Sequence, residues 1–339
     1  KKIINKFFNK FLEFRRLVYY FLVVTSEYLS FIKSYAKGAR CVCIVIDNSC
    51  YAPTYGDAVF AAMLARYCQK LGMQVYFYII QGKLRSDWDD LGSPERVAHF
   101  IAERLKLISC IVGSKDVVIK TIEWDLLLNI LNTKSSSLIV PYERRIRERL
   151  HIYYPYGRLL NMLFNRQKST SQVDFLLTAS DFQEEIDLQP LPAKPFITIG
   201  CRYSKYWASE RNLSDSEFVD IMTKLISKWR GYEFMIVSCS DGCAHFRHLA
   251  KINAFDVLFS KDYSSSLLGD AGIVLSSEFF FILSGGGISV FAQCSNVPFE
   301  CYQPYDKTLL FRPHMVFPWN NRCQIFRNTA RLPKTFCDF

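Results

Sequence analysis

From residue 41 onward the chain alternates short apolar runs with amphipathic stretches of helical period, and this alternation constrains its fold more than any other feature. "ARCVCIVID" reads as a buried strand and "SCYAPTYGD" as a loop; "AVFAAMLARYCQKLG" then reads as a helix that a glycine can end, and "MQVYFYII" returns as a strand. "PERVAHFIAERLKLI" is a second helix, with Pro94 in its first turn and Glu95 near the positive end of its dipole. "DVVIKTI", "SSLIVP" and "VDFLLTA" are further short strands. Such alternation predicts an α/β fold, a parallel sheet covered by helices on both faces.

The pattern breaks once. Residues 183–195, "QEEIDLQPLPAKP", are acidic, then proline-rich and aperiodic, and read as a linker. Afterwards the alternation restarts with strand "FITIGCR", helix "SDSEFVDIMTKLISKWRG", strand "EFMIVSCS", helix "CAHFRHLAKIN", strand "DVLFS", helix "SSSLLGDAGIVLS", strand "EFFFILS" and helix "ISVFAQC". We therefore expect two doubly wound lobes, residues 39–188 and 189–320, preceded by a helical segment over 1–38 and followed by a tail over 321–339. Ligands of such lobes bind at the carboxyl ends of the strands, and two facing lobes would make a cleft.

Charge separates the first segment from the rest. Of the net +10, residues 1–40 hold nine Lys or Arg against Glu13 and Glu27, a net +7. Apolar residues recur there at helical spacing, but the longest unbroken apolar run is Leu17–Val24, too short for a bilayer span of about 20 residues. A basic amphipathic helix on an anionic membrane surface fits this pattern; packing of its apolar face on the protein's own body is the plainer alternative. No small-residue cleavage site follows, which argues against a signal peptide, and no nucleic-acid recognition motif accompanies the charge. The twelve cysteines are scattered and many fall inside apolar runs, so they read as small buried side chains in a reducing compartment rather than a disulfide framework. Cys239, Cys243, His245 and His248 fit no common zinc-ligand spacing, and no metal is expected.

The binding signals lie in the second lobe. "ILSGGGISVFAQC" places Ser284, Gly285, Gly286 and Gly287 between a strand and the helix beginning near Ser289, where free N–H groups can receive a diphosphate and glycines let it touch the backbone. The loop has neither the Lys of a Walker motif nor the spacing of GxGxxG, and a tight turn without ligand would use the same residues. After the lobe's first strand, "GCRYSKYWASERN" carries Arg202, Lys205 and Arg211 among Tyr203, Tyr206 and Trp207, cations and rings that suit phosphates and a flat base as well as a solvated loop. "SCSDGC" offers Ser238, Ser240, Asp241 and Gly242 to a base or ribose. In "FSKDYSSS", Asp262 and Ser264 read equally as ligand contacts or helix caps.

The succession "ITIGCRYSKYWASERN", "DYSSSLLGDAGIVLSSEFFFILSGGGIS" and "VPFECY", over residues 196–303, resembles the donor half of bacterial cell-surface glycosyltransferases of the two-lobed GT-B kind, with Rossmann-like lobes. The first lobe matches only in its "YGD" turn. The resemblance implies transfer of a sugar from a nucleotide diphosphate, as co-substrate and with no cofactor, to a hydroxyl of a glycan or lipid-linked acceptor. Arg202, Arg211 and the 284–289 N–H groups would stabilise the leaving diphosphate without a metal, and no DxD motif is present beyond the weak "WDD" at 88–90. An inverting enzyme would need a carboxylate base; Asp57 is the first candidate, also readable as a helix cap, with Glu123 and Asp125 in reserve. The expected place is the cytoplasmic face of the cell membrane, with residues 1–38 on anionic lipid. A sugar-nucleotide epimerase on the same scaffold and a non-catalytic membrane-associated binding protein are the alternatives.

Overall fold

The computed structural model describes residues 22, 25–48, 55–81, 93–113, 117–133, 138–140, 156–166, 176–203, 209, 212–283, 287–303 and 323–327. The chain divides into two compact units. The first comprises residues 1–53, 60–85 and 112–172, and the second 54–59, 86–111 and 173–339.

The first unit is built on a parallel sheet of β1 (Cys41–Asp47), β2 (Gln74–Gln81), β3 (Val117–Glu123) and β4 (Leu138–Val140), in the order β3-β2-β1-β4. Every residue of β1 after Cys41 is buried, which is why this strand reads as a continuous apolar run instead of an alternating one. Helix α1 covers 25–36, α2 runs Gly56–Lys70, α3 Pro94–Val112, α4 Trp124–Thr133 and α5 Tyr156–Arg166. The first turn of α2 and nearly all of α3 cluster with the second unit. Helix α2 stops because Gly72 takes φ +74, which lets its N–H reach the Gln69 carbonyl at 2.8 Å while Met73 N–H reaches Cys68 O at 3.0 Å. Tyr156 is buried, and its hydroxyl donates to the Val45 carbonyl at 2.5 Å, tying α5 to the central strand. Phe31 of α1 is buried beside Tyr67, with ring centroids 6.4 Å apart. Among the described residues no helix is long and apolar enough to cross a membrane.

The second unit carries six parallel strands in the order β10-β9-β8-β5-β6-β7: β5 (Phe196–Gly200), β6 (Glu233–Val237), β7 (Leu258–Phe259), β8 (Phe279–Ile282), β9 (Phe299–Gln303) and β10 (Cys323–Arg327). Among its strands run the helices α6 (Asp215–Lys228), α7 (Ser240–Ile252), α8 (Leu267–Leu275) and the short α9 (Ser289–Gln293), in addition to nearly all of α3. The chain grows from β5 to β6 and β7 on one side, then crosses to β8, β9 and β10 on the other. The order therefore reverses between β5 and β8, and at such a switch point the carboxyl ends of adjacent strands part to leave a crevice. One core face joins Ile197, Ile199, Phe218, Phe246 and Phe281.

A strand expected over 173–179 is not formed by its described residues. Leu177 makes a single bridge to Ser295, and the chain then turns into a 3-10 helix, Ala179–Glu185. Local polar chemistry drives the turn, since Asp181 Oδ2 accepts the Thr178 N–H at 2.8 Å. Burial comes from Phe182, edge-on to Phe291 at 5.6 Å. The 183–195 segment is held rather than free: Lys106 pairs with Glu185 at 2.7 Å, and Asp187 accepts from both N–H and hydroxyl of Ser265, at 3.1 and 2.7 Å.

Candidate functional site

A cavity of about 380 Å³ opens at the carboxyl ends of β5, β6 and β8, lined by Gly200, Val237 and Ile282 at the strand ends. All the residues that line it belong to the second unit. Its position results from the reversal of strand order.

Around the end of β5 the packing requires a glycine. A Cβ on Gly200 would lie 2.7 Å from the Phe280 ring, so only a bare backbone passes there before Cys201, Arg202 and Tyr203 line the wall. Arg202 is steered by Asn212, whose Oδ1 accepts from Nη1 at 2.9 Å. Tyr203 stacks on His245 at 4.8 Å. The turn after β6 is fastened to the turn after β5, since the Ser238 hydroxyl donates to Cys201 O at 2.6 Å. Gly242 makes this possible; a Cβ there would fall 2.0 Å from Ser238 Oγ. Helix α7 then begins at the wall, with Ser238, Cys239 and Ser240 lining it, and the side chain of its N-cap residue Cys239 makes no capping hydrogen bond.

The third side is charged. Beyond β7, Lys261 Nζ contacts Asp270 Oδ2 at 2.7 Å and the Ser266 carbonyl at 3.2 Å, and both Lys261 and Asp270 line the cavity. Burial lifts the Asp270 carboxyl to about 6, against the opposing pull of Lys261. Ser260 stands near enough to favour the charged carboxylate, but Asp270 Oδ1 makes no hydrogen bond of good geometry among the described residues. Tyr55, His99 and Glu103 also line the cavity. The Tyr55 hydroxyl donates to Glu103 Oε2, and its ring lies 4.2 Å from that of Phe100. Burial, then the Glu103 charge, push the Tyr55 hydroxyl well above its ordinary range, so it stays a protonated donor.

Of the residues singled out from the sequence as ligand contacts, Arg202, Tyr203, Ser238, Ser240 and Gly287 line this cavity. Asp241 comes next in the first turn of α7, and the buried Ser289 begins α9. Asp262 is engaged elsewhere, pairing with Arg247 at 2.7 Å at the surface. Ser264 is buried and donates to Glu185 O at 3.3 Å; the residue that caps α8 is Ser266, whose Oγ accepts Gly269 N–H at 3.0 Å. Asp57 is buried in the first turn of α2, two residues past Tyr55. Glu123 ends β3 and Asp125 lies in the first turn of α4; both are exposed, belong to the first unit and do not line the cavity. Lys205, Arg211, Ser284, Gly285 and Gly286 lie outside the described residues, as do Tyr206, Trp207 and the "WDD" at 88–90. Lys261, Asp270 and Glu103 do not stand out in the sequence, and Tyr55 enters it only as the first residue of the "YGD" turn; the one signal for the charged pair is Lys261 at a strand's carboxyl end, with an Asp inside an apolar helix nine residues later. Among the described residues no group of three His, Cys, Asp or Glu is placed to hold a metal ion.

No protein-family model matches the chain, and no curated protein matches it. Solved structures do. A family 9 glycosyl transferase from Veillonella parvula superposes with a TM-score of 0.51 over 86% of each chain, at 8% identity. The ADP-heptose lipopolysaccharide heptosyltransferase II of E. coli gives 0.49 over 86% of this chain and 91% of its own, at 10% identity. A UDP-N-acetylglucosamine 2-epimerase from Listeria monocytogenes gives 0.40 at 10% identity, over 80% of each. At this level of identity the likeness is one of fold, and the fold is the expected one, two parallel α/β lobes of the GT-B kind in a single chain.

Proposed function

We propose that the protein is a glycosyltransferase that moves a sugar from a nucleotide-diphosphate donor to a hydroxyl of a glycan or lipid-linked acceptor. The observation that carries this reading is the cavity at the switch point of the second sheet, where Arg202 and the first turn of α7 meet on one wall. A diphosphate is the ligand whose charge and size suit such donors, and Tyr203 beside His245 offers a flat surface to a base. The fold shared with a family 9 glycosyl transferase supports the assignment.

In the reaction the bond from the sugar's anomeric carbon to the diphosphate oxygen breaks, and a new bond forms to the acceptor oxygen. The leaving diphosphate gains negative charge as it departs. Arg202, with the glycine turn of Ser284, Gly285, Gly286 and Gly287, would stabilise that charge, and Lys205 and Arg211 would add cations from the same loop. Asp57 would take the acceptor's proton as general base. The chain's own donors meet the leaving group in this scheme, so turnover is expected to survive chelation of divalent ions.

The test is to incubate the protein with candidate nucleotide sugars and assay free nucleoside diphosphate with and without acceptor glycans. Release that requires an acceptor is the expected result. Interconversion of the donor without net release would identify an epimerase, and binding without turnover a non-catalytic module.

A further inference from the structure

We propose that Lys261, held in place by Asp270, is the cation that grips the phosphate oxygens of the ligand in the second unit's cavity. This rests on reading the cavity as a nucleotide-diphosphate site and adds a residue pair to it. An ammonium has three donors. At Lys261 two of them go to Asp270 Oδ2 and to the Ser266 carbonyl, at 2.7 and 3.2 Å, and the third has no acceptor among the described residues. The side chains are only 15% and 6% exposed, so neither is a floppy surface group whose position solvent decides.

A buried ion pair is a poor way to stabilise a fold, because desolvation consumes most of the attraction between the charges. Asp270 sits among Leu268, Ala271, Ile273 and Val274 on a helix that is buried almost throughout, where an apolar residue would serve packing better. The pair does not lie deep in the core, however; it lies on the cavity wall. There the carboxylate has a different use, which is to fix the direction of the ammonium. Lysine loses much side-chain freedom when it binds, so a lysine already held by an aspartate and a carbonyl loses less on meeting an anion. The other carboxylate on the wall, Glu103, accepts the Tyr55 hydroxyl. Arg202 supplies a second cation to the same cavity, which gives a diphosphate one for each of its phosphoryl groups.

The experiment uses the full chain, with inorganic pyrophosphate as the primary probe and UDP, ADP, GDP, CDP and dTDP as the nucleotide set, read by calorimetry. Lys261→Met should weaken pyrophosphate and the accepted nucleotide by about tenfold or more, the scale of one charge-assisted hydrogen bond. Because that change strands a buried carboxylate, Lys261→Met/Asp270→Ala is made alongside it; this variant should fold normally and bind as weakly. Lys261→Arg should bind within a few-fold of wild type. Asp270→Asn should weaken binding less than Lys261→Met, and adding Lys261→Met to it should cost less than in the wild-type background, the coupling expected of a positioning residue. A folded double variant with wild-type affinity for pyrophosphate overturns the proposal. Wild-type protein that binds pyrophosphate, lost on Lys261→Met, but none of the nucleotides would uphold the lysine's role and overturn the nucleotide-sugar reading. Binding of neither probe would overturn both.

Discussion

At Asp270 burial raises the carboxyl to about 6, and the groups that face it are Lys261 and Ser260, which favour its charged form, and Glu103, which opposes it. A carboxyl raised in the folded protein binds its proton there more readily than in the unfolded chain. Between about pH 4 and 6 the folded state therefore holds the extra proton, and this group's contribution to stability falls as pH rises through that window. Asp270→Asn has nothing to titrate, so its melting temperature relative to wild type should climb between pH 4.5 and pH 6.5; a constant difference would mean that the carboxyl titrates in the ordinary range. Arg202 is argued from ligand charge instead: Arg202→Ala should weaken nucleoside-diphosphate binding by about tenfold, and unchanged affinity would remove it from the site. Arg202 is legible in the sequence because a cation just after a strand is a local signal. Tyr55 with Glu103 is not, since the two lie 48 positions apart and meet only because the second unit gathers both. Asp270 is hidden differently: its partner Lys261 lies on another element, so a lone acid in an apolar helix does not by itself reveal which group it faces.

The turn from β6 into α7 shows how an element's start is set by packing. Ser238 occupies the space a Cβ on Gly242 would fill, and its hydroxyl holds the end of β5 through Cys201 O. Gly242→Ala should displace that hydroxyl, lower stability by about 1–3 kcal/mol as overpacking does, and weaken ligand binding in the same variant. A melting temperature equal to wild type would show that the first turn of α7 can yield. Helix α6 depends instead on polar capping: Ser214 Oγ accepts Glu217 N–H at 3.3 Å, and Glu217 Oε2 accepts Ser214 N–H at 3.0 Å. Both α6 and the strands beside it are legible, because a capping pair and fully buried parallel strands leave short-range marks. Less is legible where those marks are mixed. The run "VDFLLTA" has the apolar content of a strand, yet Asp181 and Phe182 draw residues 179–185 into a 3-10 turn. β9, "FECYQ", and β10, "CQIFR", mix polar residues into so few positions that only pairing with β8 and with each other defines them.

For the whole molecule the open question is what its charge asymmetry does. Of the basic residues in the first forty positions, Lys1, Lys2, Lys6, Lys10, Arg15 and Arg16 precede residue 22, with Glu13 the one acid among them. The later part of this stretch belongs to the first unit's own packing: α1 buries Glu27 and Phe31, while Leu22, Leu29 and Tyr35 stay exposed. Removing residues 1–38 would thus strip a packed helix along with the charge, and loss of lipid binding could then reflect damage to the unit. Removing residues 1–21 separates the two effects. If this segment docks the protein on an anionic surface, the shortened chain should keep its melting temperature but no longer sediment with phosphatidylserine-containing vesicles. The intact chain should bind them at low salt and release them as salt rises, since each Lys or Arg near such a surface contributes about 1 kcal/mol that screening removes. Neutral vesicles should hold neither chain. Equal sedimentation of both chains with anionic vesicles would move the attraction to the remainder of the protein, and an intact chain that ignores them at low salt would leave the basic segment without a membrane role.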